Sequence, residues 1–257
     1  MIHFQKYEGT GNDFILIEDR KGIINWDAGQ IQKLCDRHFG IGADGLILLR
    51  DKRGFDFEMI YYNADGNTGS MCGNGGRCAV AFAHASGLIK KEITLAAFDG
   101  AHQAVIVSAD PYLIRLQMQD VDSLESKPDF VFMNTGSPHY TCFRNQVEIL
   151  DVVSEGRAIR YNSVYQSEGT NVNFAEVKNN ELFVRTYERG VEDETLSCGT
   201  GVTATALAAH ARGLIAGGEA TVKTPGGTLR VYFTEKERGY TGIWLEGPAR
   251  KVFEGRI

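Results

Sequence analysis

Met71-Cys72-Gly73-Asn74-Gly75-Gly76-Arg77 returns 126 residues later as Ser197-Cys198-Gly199-Thr200-Gly201-Val202-Thr203. At that offset Phe57 falls on Phe183, Tyr61 on Tyr187, Ala83-His84-Ala85 on Ala209-His210-Ala211, Gly87-Leu88-Ile89 on Gly213-Leu214-Ile215 and Gly100 on Gly226. Residues 57–100 thus hold 12 identities in 44 positions without a gap. Fainter echoes place Thr10-Gly11-Asn12 on Thr135-Gly136-Ser137 and Gly42-Ala43-Asp44 on Gly169-Thr170-Asn171. A duplicated chain with one thiol per half can set two acid/base groups against one substrate. Inversion of a carbon centre requires such a pair.

The repeated unit reads strand, glycine turn, helix, strand, strand. Residues 55–62 are aromatic and β-type, and 77–86 form a small, apolar, Ala-rich helix closed by Gly87. A hairpin follows around Asp99-Gly100. The second copy repeats this, with a strand over 182–187, a helix over 202–212 and a hairpin around Pro225-Gly226-Gly227. The expected fold is α+β. It has two pseudo-symmetric domains, each a curved, mostly antiparallel sheet around a central helix, with the active site in the cleft between them. The boundaries read as 1–112 and 113–246, each an ordinary domain size, and the tail 247–257 is a candidate to rejoin the first half.

A chain of 257 residues with 43% hydrophobic and 23% charged residues has the balance of a soluble globular protein. A net charge of -6 leaves no basic footprint for nucleic acid. No apolar run approaches the ~20 residues of a membrane span. The first residues lack the pattern of a signal peptide, so the expected compartment is the cytoplasm. The five cysteines are odd in number and lack Cys-x2-Cys spacing. That argues against a disulfide framework and leaves catalysis or plain burial. No motif argues for a metal or an organic cofactor.

Each repeated cysteine stands just before an apparent helix start. A helix N-terminus offers unpaired amides and partial positive charge, which draw a thiol down from its reference of about 8.5. The glycines would let the backbone curl its N–H groups toward an anion. Carboxylate binding there would stabilise the carbanion left when an α-proton is removed. The bland alternative is a small buried residue at a tight turn. Keeping both thiols in register after duplication favours chemistry for Cys72 and Cys198, and burial for Cys35, Cys78 and Cys142. Arg189 could clamp a second carboxylate and Glu188 could accept from an ammonium, or the two could form a solvated strand-end pair. Asn12, Asn63, Asn74 and Asn171 sit beside turn glycines, a common place for asparagine. His139 is the histidine of interest, and His84 and His210 read as structural.

These motifs, with Gly11-Asn12-Asp13-Phe14, Gly40-Ile41-Gly42-Ala43-Asp44-Gly45, Glu188-Arg189-Gly190 and Gly247-Pro248-Ala249, resemble the diaminopimelate epimerase family nearly end to end. The resemblance implies conversion of LL-2,6-diaminopimelate to the meso form without a cofactor, in lysine and peptidoglycan precursor biosynthesis. It makes Cys72 and Cys198 the two acid/base thiols. Amides of Gly73, Asn74, Gly199 and Thr200 would hold the reacting carboxylate. Asn12, Asn63, Asn171, Glu188 and Arg189 would hold the amino groups and distal carboxylate. His139 and Glu188 match positions that tune the thiols. A homodimer is implied, with Phe253 at the partner contact. Three departures stand out: Gly45 where some members carry glutamine, Ser137 where many carry asparagine, and a loop Gly190–Glu194 one residue longer than in many relatives.

Four other readings compete. A proline- or hydroxyproline-type racemase would not need a second carboxylate clamp. A phenazine-type isomerase would lack the paired thiols. A thiol redox protein would need oxidation for activity. A carboxylate-binding module would bind without solvent proton exchange.

Overall fold

The computed structural model describes every residue except Ser70, Lys91 and Asn180. Two compact units emerge, Met1–Leu116 with Gly247–Ile257, and Gln117–Glu246. The sequence placed the seam after residue 112. The strand that begins there stays with the first unit as far as Leu116.

The first unit contains β1 (His3–Gly9), β2 (Asn12–Glu18), α1 (Ala28–Cys35), β3 (Gly45–Arg50), β4 (Phe57–Asn63), α2 (Gly73–Ala85), β5 (Glu92–Ala97), β6 (Gly100–Ala109) and β7 (Tyr112–Gln117). The second contains β8 (Glu125–Ser126), β9 (Val131–Asn134), β10 (Pro138–Phe143), α3 (Val152–Arg160), β11 (Asn171–Lys178), β12 (Glu181–Glu188), β13 (Asp193–Thr195), α4 (Gly199–Ala211), β14 (Glu219–Thr224), β15 (Gly227–Glu235) and most of β16 (Tyr240–Pro248). The final strand, β17 (Arg250–Arg256), pairs antiparallel with β1.

The duplication is explicit in the pairing. The first sheet runs β17-β1-β2-β3-β4-β5-β6-β7, parallel at β2/β3 and β4/β5 and antiparallel elsewhere. The second runs β8-β9-β10-β11-β12-β14-β15-β16, parallel at β10/β11 and β12/β14 and antiparallel elsewhere. In the first unit α2 packs on β1, β2, β3, β4 and β6. In the second α4 packs on β9, β10, β11, β12, β14 and β15. A helix surrounded by its own sheet must be apolar on nearly every side, which explains the Ala, Val and Gly content of both. The outer face of the first sheet carries α1, where Ile15, Ile17, Leu46 and Leu48 pack with Ile31 and Cys35. In the second, Val152 of α3 joins Val172, Phe174 and Tyr187.

Both central helices begin directly after the repeated cysteines, as the reading of those cysteines expected, and so extend the Ala-rich runs expected from 77 and 202 back to Gly73 and Gly199. Gly73, Gly75, Gly76, Gly199 and Gly201 all lie within helix, outside the positive-φ set. At Gly75, Gly76 and Gly201 the role is close packing rather than a curled turn. A Cβ on Gly76 would lie 2.7 Å from Met71 Cε and 2.9 Å from Leu116 Cδ2. The hairpins also slip by one residue. Gly100 and Gly227, not Gly226, open β6 and β15 at φ 127° and 148°. The helix ends match closely: His84 Nδ1 meets Tyr112 Oη at 2.9 Å, and His210 Nδ1 meets Tyr240 Oη at 2.9 Å. These two histidines are packing residues. Among the described residues no helix is long and apolar enough to cross a membrane.

Candidate active site

Cys72 and Cys198 are the N-caps of α2 and α4, with near-identical backbone angles (φ -110°, ψ 117° and φ -116°, ψ 113°). Each thiol is therefore held beside the first turn of a buried helix, where amide donors lack intrahelical partners. Cys72 is half-buried and Cys198 buried. Cys35, Cys78 and Cys142 are buried in the packing, and burial pushes their thiols up, to about 11 for Cys35 and Cys142. That matches the structural role read for them from the sequence.

In the first unit the Cys72 thiol accepts from Gly75 N at 3.4 Å and donates toward Asn12 Oδ1 at 3.6 Å. Asn74 Nδ2 donates to the same oxygen at 3.3 Å. Asn12 and the Gly75 amide thus meet the sulfur, and Asn74 meets Asn12. Asn63 closes β4 opposite Gly45 in the β3/β4 ladder. A Cβ on Gly45 would lie 2.5 Å from Tyr61 Cε2 and 2.5 Å from Tyr62 O, so this rung has no room for a longer side chain without rearrangement.

The sequence singled out neither Asp44 nor Arg77 by role. Arg77 is fully buried and donates to Gly73 O (3.2 Å), Asn74 Oδ1 (3.0 Å), Thr10 Oγ1 (3.4 Å) and Pro248 O (3.3 Å). Burial depresses its guanidinium pKa, and the acidic groups of Cys78, Cys72 and Glu8 push it back up. A cation in an otherwise apolar helix was the available signal. Asp44 accepts from Asn12 Nδ2 at 2.7 Å and pairs with Arg37 at 2.7 Å, which also forks onto Asp13. Burial would raise Asp13, but Arg37 and Lys6 outweigh it and hold the carboxyl at about 2.

In the second unit Cys198 Sγ lies 3.4 Å from Thr200 Oγ1. Thr200 Oγ1 is 2.9 Å from His139 Nε2 and 3.2 Å from Ser137 Oγ, and Ser137 is 3.0 Å from the same ring nitrogen. Asn173 Nδ2 contacts His139 Nδ1 at 3.1 Å. Burial holds His139 at about 3 despite the Asn173 hydrogen bond, and the charge of Arg189 lowers it further. The ring is therefore neutral near pH 7 and reaches the thiol through hydroxyls. Asn171 accepts from Arg189 N at 2.9 Å and donates to Ser137 Oγ and Pro138 O, both at 3.1 Å. Ser137 thus occupies the centre of this network.

Glu188 ends β12 and accepts from Thr195 Oγ1 at 2.8 Å. Arg189 is exposed, and its Nη1 donates to Glu168 O at 2.9 Å. The longer loop is tied by Glu192, which accepts from Tyr187 Oη (3.0 Å) and Gly190 N (3.1 Å) and pairs with Arg160 at 3.4 Å. Phe253 lies on the exposed strand β17, edge-on to Phe4 at 6.0 Å and with Lys6 Nζ 5.9 Å from its ring centre.

Comparison with known proteins gives a consistent picture. The family model described as diaminopimelate epimerase matches residues 4–121 and 131–252. Diaminopimelate epimerase of Flavobacterium psychrophilum is 50% identical over 254 residues, covering 98% of each chain. That of Chlorobaculum tepidum is 44% identical over 258 residues, covering 97% of this chain and 98% of the relative. Among solved structures, a PhzF-family phenazine biosynthesis protein of Bacillus anthracis superposes with a TM-score of 0.78 at 14% identity, covering 100% and 98% of the two chains. A probable proline racemase of Agrobacterium radiobacter K84 gives 0.71 at 16%, covering 100% and 93%. At such identities the structures establish a shared fold alone.

Proposed function

The chain belongs to the diaminopimelate epimerase family and is an amino-acid epimerase of that type, and we propose that it interconverts LL- and meso-2,6-diaminopimelate by a cofactor-independent two-base mechanism. In this reading one cysteine, as thiolate, takes the α-proton. The other, as thiol, delivers its own proton to the opposite face, and the two exchange roles on reversal. One C–H bond breaks and one forms, and the enzyme ends with its thiol and thiolate interchanged.

The observation that carries this reading is the equivalence of the two thiols: each N-caps a buried 13-residue helix at the same place in a duplicated unit. The amides of Gly73, Asn74, Gly199 and Thr200 would receive the carboxylate as negative charge spreads onto it in the carbanion. Asn12, Asn63, Asn171 and Glu188 would hold the amino groups, and Arg189 would fork onto the distal carboxylate. His139 and Glu188 would tune the thiols. The lysine and peptidoglycan pathways, a cytoplasmic location and a homodimer formed through the half-exposed Phe253 belong to the same reading.

The test is proton NMR of LL-diaminopimelate with the reduced protein in D2O and no added cofactor. Loss of the α-proton signal with appearance of the meso isomer is the expected result. No exchange, with both thiols confirmed reduced, would refute the reading.

A further inference from the structure

Four side chains in the first unit form a chain with a charge at each end. Asp44 accepts from Asn12 Nδ2 at 2.7 Å, Asn12 Oδ1 accepts from Asn74 Nδ2 at 3.3 Å, and Asn74 Oδ1 accepts from Arg77 Nη2 at 3.0 Å. An ionised carboxylate only accepts and a guanidinium only donates, so each end independently dictates an amide orientation. Asp44 requires the Asn12 nitrogen, which turns the Asn12 oxygen to Cys72. Arg77 requires the Asn74 oxygen, which turns the Asn74 nitrogen to Asn12. The two constraints meet in the middle as donor against acceptor.

Asp44 is itself firmly placed. Its Oδ2 also accepts from Asp13 N at 3.2 Å, its Oδ1 takes Arg37 at 2.7 Å, and its backbone N donates to Asp13 O at 2.9 Å. The second unit has no charged equivalent. Thr200 and Thr203 stand where Asn74 and Arg77 stand in the first, and Asn171 is oriented there by the neutral groups Arg189 N and Pro138 O.

We propose that Asp44 is a positioning residue for Cys72: through the Asn12 amide it presents an acceptor, not a donor, to the thiol and so favours the protonated sulfur. The chain rests on the epimerase reading only for its consequence in turnover. In the second unit the sulfur's neighbour is the Thr200 hydroxyl, which can accept or donate, so the duplicated half-sites differ in how they hold a proton. The other titratable or charged groups described at this end of the unit include Lys6 and Glu8 from β1, Asp13 from β2, Cys35 at the end of α1, Arg37 after it, Tyr61 from β4, and Arg77 and Cys78 on α2. Lys6 and Arg37 are paired with Asp13, Arg37 also with Asp44, and Glu8 with Arg250.

Removing the Asp44 charge also acts through space, so a double-mutant cycle is needed. The readout is the pH profile of iodoacetamide alkylation of Cys72 in the full-length reduced protein, with Cys198 as internal reference. Asp44→Asn replaces a group that only accepts with one that can also donate, so this end no longer compels the Asn12 orientation and only the long Asn74 contact at 3.3 Å opposes a turn of the Asn12 nitrogen to the thiolate. The expected result is a roughly three- to tenfold faster Cys72 reaction at neutral pH. In an Asn12→Ala background the same substitution should change the rate by less than about twofold. An equal acceleration in both backgrounds, or none in the first, overturns the proposal. Alkylation needs no turnover, so this outcome is separate from success or failure of the D2O exchange test.

Discussion

Gly75 and Gly201 occupy the same position in the repeat, the third residue of α2 and of α4, yet alanine should be tolerated at the first and destabilising at the second. In a helix, Gly→Ala contributes about 1 kcal/mol of stability at either site. At Gly75 the new Cβ would lie 3.1 Å from Ile47 Cδ1 and 3.5 Å from Phe14 Cε1. The nearer atom is the tip of a flexible apolar side chain, which can give by a few tenths of an ångström. Gly75→Ala should therefore fall within about 1 kcal/mol of the parent protein. At Gly201 the Cβ would lie 2.6 Å from Asn173 Oδ1 and 3.2 Å from His139 Cε1. Asn173 cannot retreat cheaply, since it is buried and bonded to His139, Thr141 and Thr186 at 3.1, 3.1 and 3.0 Å. Overpacking costs about 1–3 kcal/mol, and a buried polar group left unpaired costs a similar ~1–3 kcal/mol. After the helix gain, Gly201→Ala should lose about 1–5 kcal/mol, which lowers its melting temperature by roughly 2–20 °C relative to the parent. Thermal melts of both variants beside the parent measure this. A Gly201→Ala protein that melts at or above the parent would refute the reasoning.

Three further outcomes are expected. Cys72→Ala and Cys198→Ala should each abolish epimerisation, because one face loses its proton carrier; a single variant near the parent rate in the chiral assay would sink the two-base scheme. His139 is neutral when folded and titrates near 6.5 when unfolded, so the unfolded state takes up an extra proton as pH falls. Stability should drop by up to about 1.4 kcal/mol per pH unit between roughly pH 6.5 and 3 from this group, and urea melts of His139→Gln should have a shallower acid limb. Arg189→Lys should reduce the kcat/KM preference for diaminopimelate over a mono-carboxylate analogue, since lysine lacks the planar fork; an unchanged ratio would remove Arg189 from that role.

The sequence revealed much of the fold because it is duplicated: two Ala-rich helices with cysteine before and glycine after are strong local signals. Local signals conflicted at the helix starts, where the cysteines pointed to the right place and the glycines away from it. Gly73 to Gly76 read as a turn because glycine is the usual residue of turns, whereas here it admits neighbours such as Met71, Leu116 and Ile47 to the helix surface. An ungapped offset held for the helices and slipped at the second hairpin, where Gly227 and not Gly226 takes the left-handed position. The thiols were legible, but their surroundings were less so. Asp44 reaches Asn12 across the parallel β2/β3 pairing, 32 residues away in sequence, and parallel register leaves no local trace. Arg77 gathers oxygens from the β1 turn, its own helix and the chain's last stretch, a convergence that only the folded topology creates.

The pairing of β17 with β1 has a consequence for the order of events on the ribosome. The half that carries Cys72 is synthesised first, but its sheet lacks an outer strand, and Arg77 lacks the Pro248 carbonyl, until the last eleven residues emerge. The half that carries Cys198 lies on one uninterrupted stretch and can close as it is made. The earlier thiol therefore matures last, and a chain that loses its C-terminal strand would be impaired at Cys72 while Cys198 keeps its surroundings.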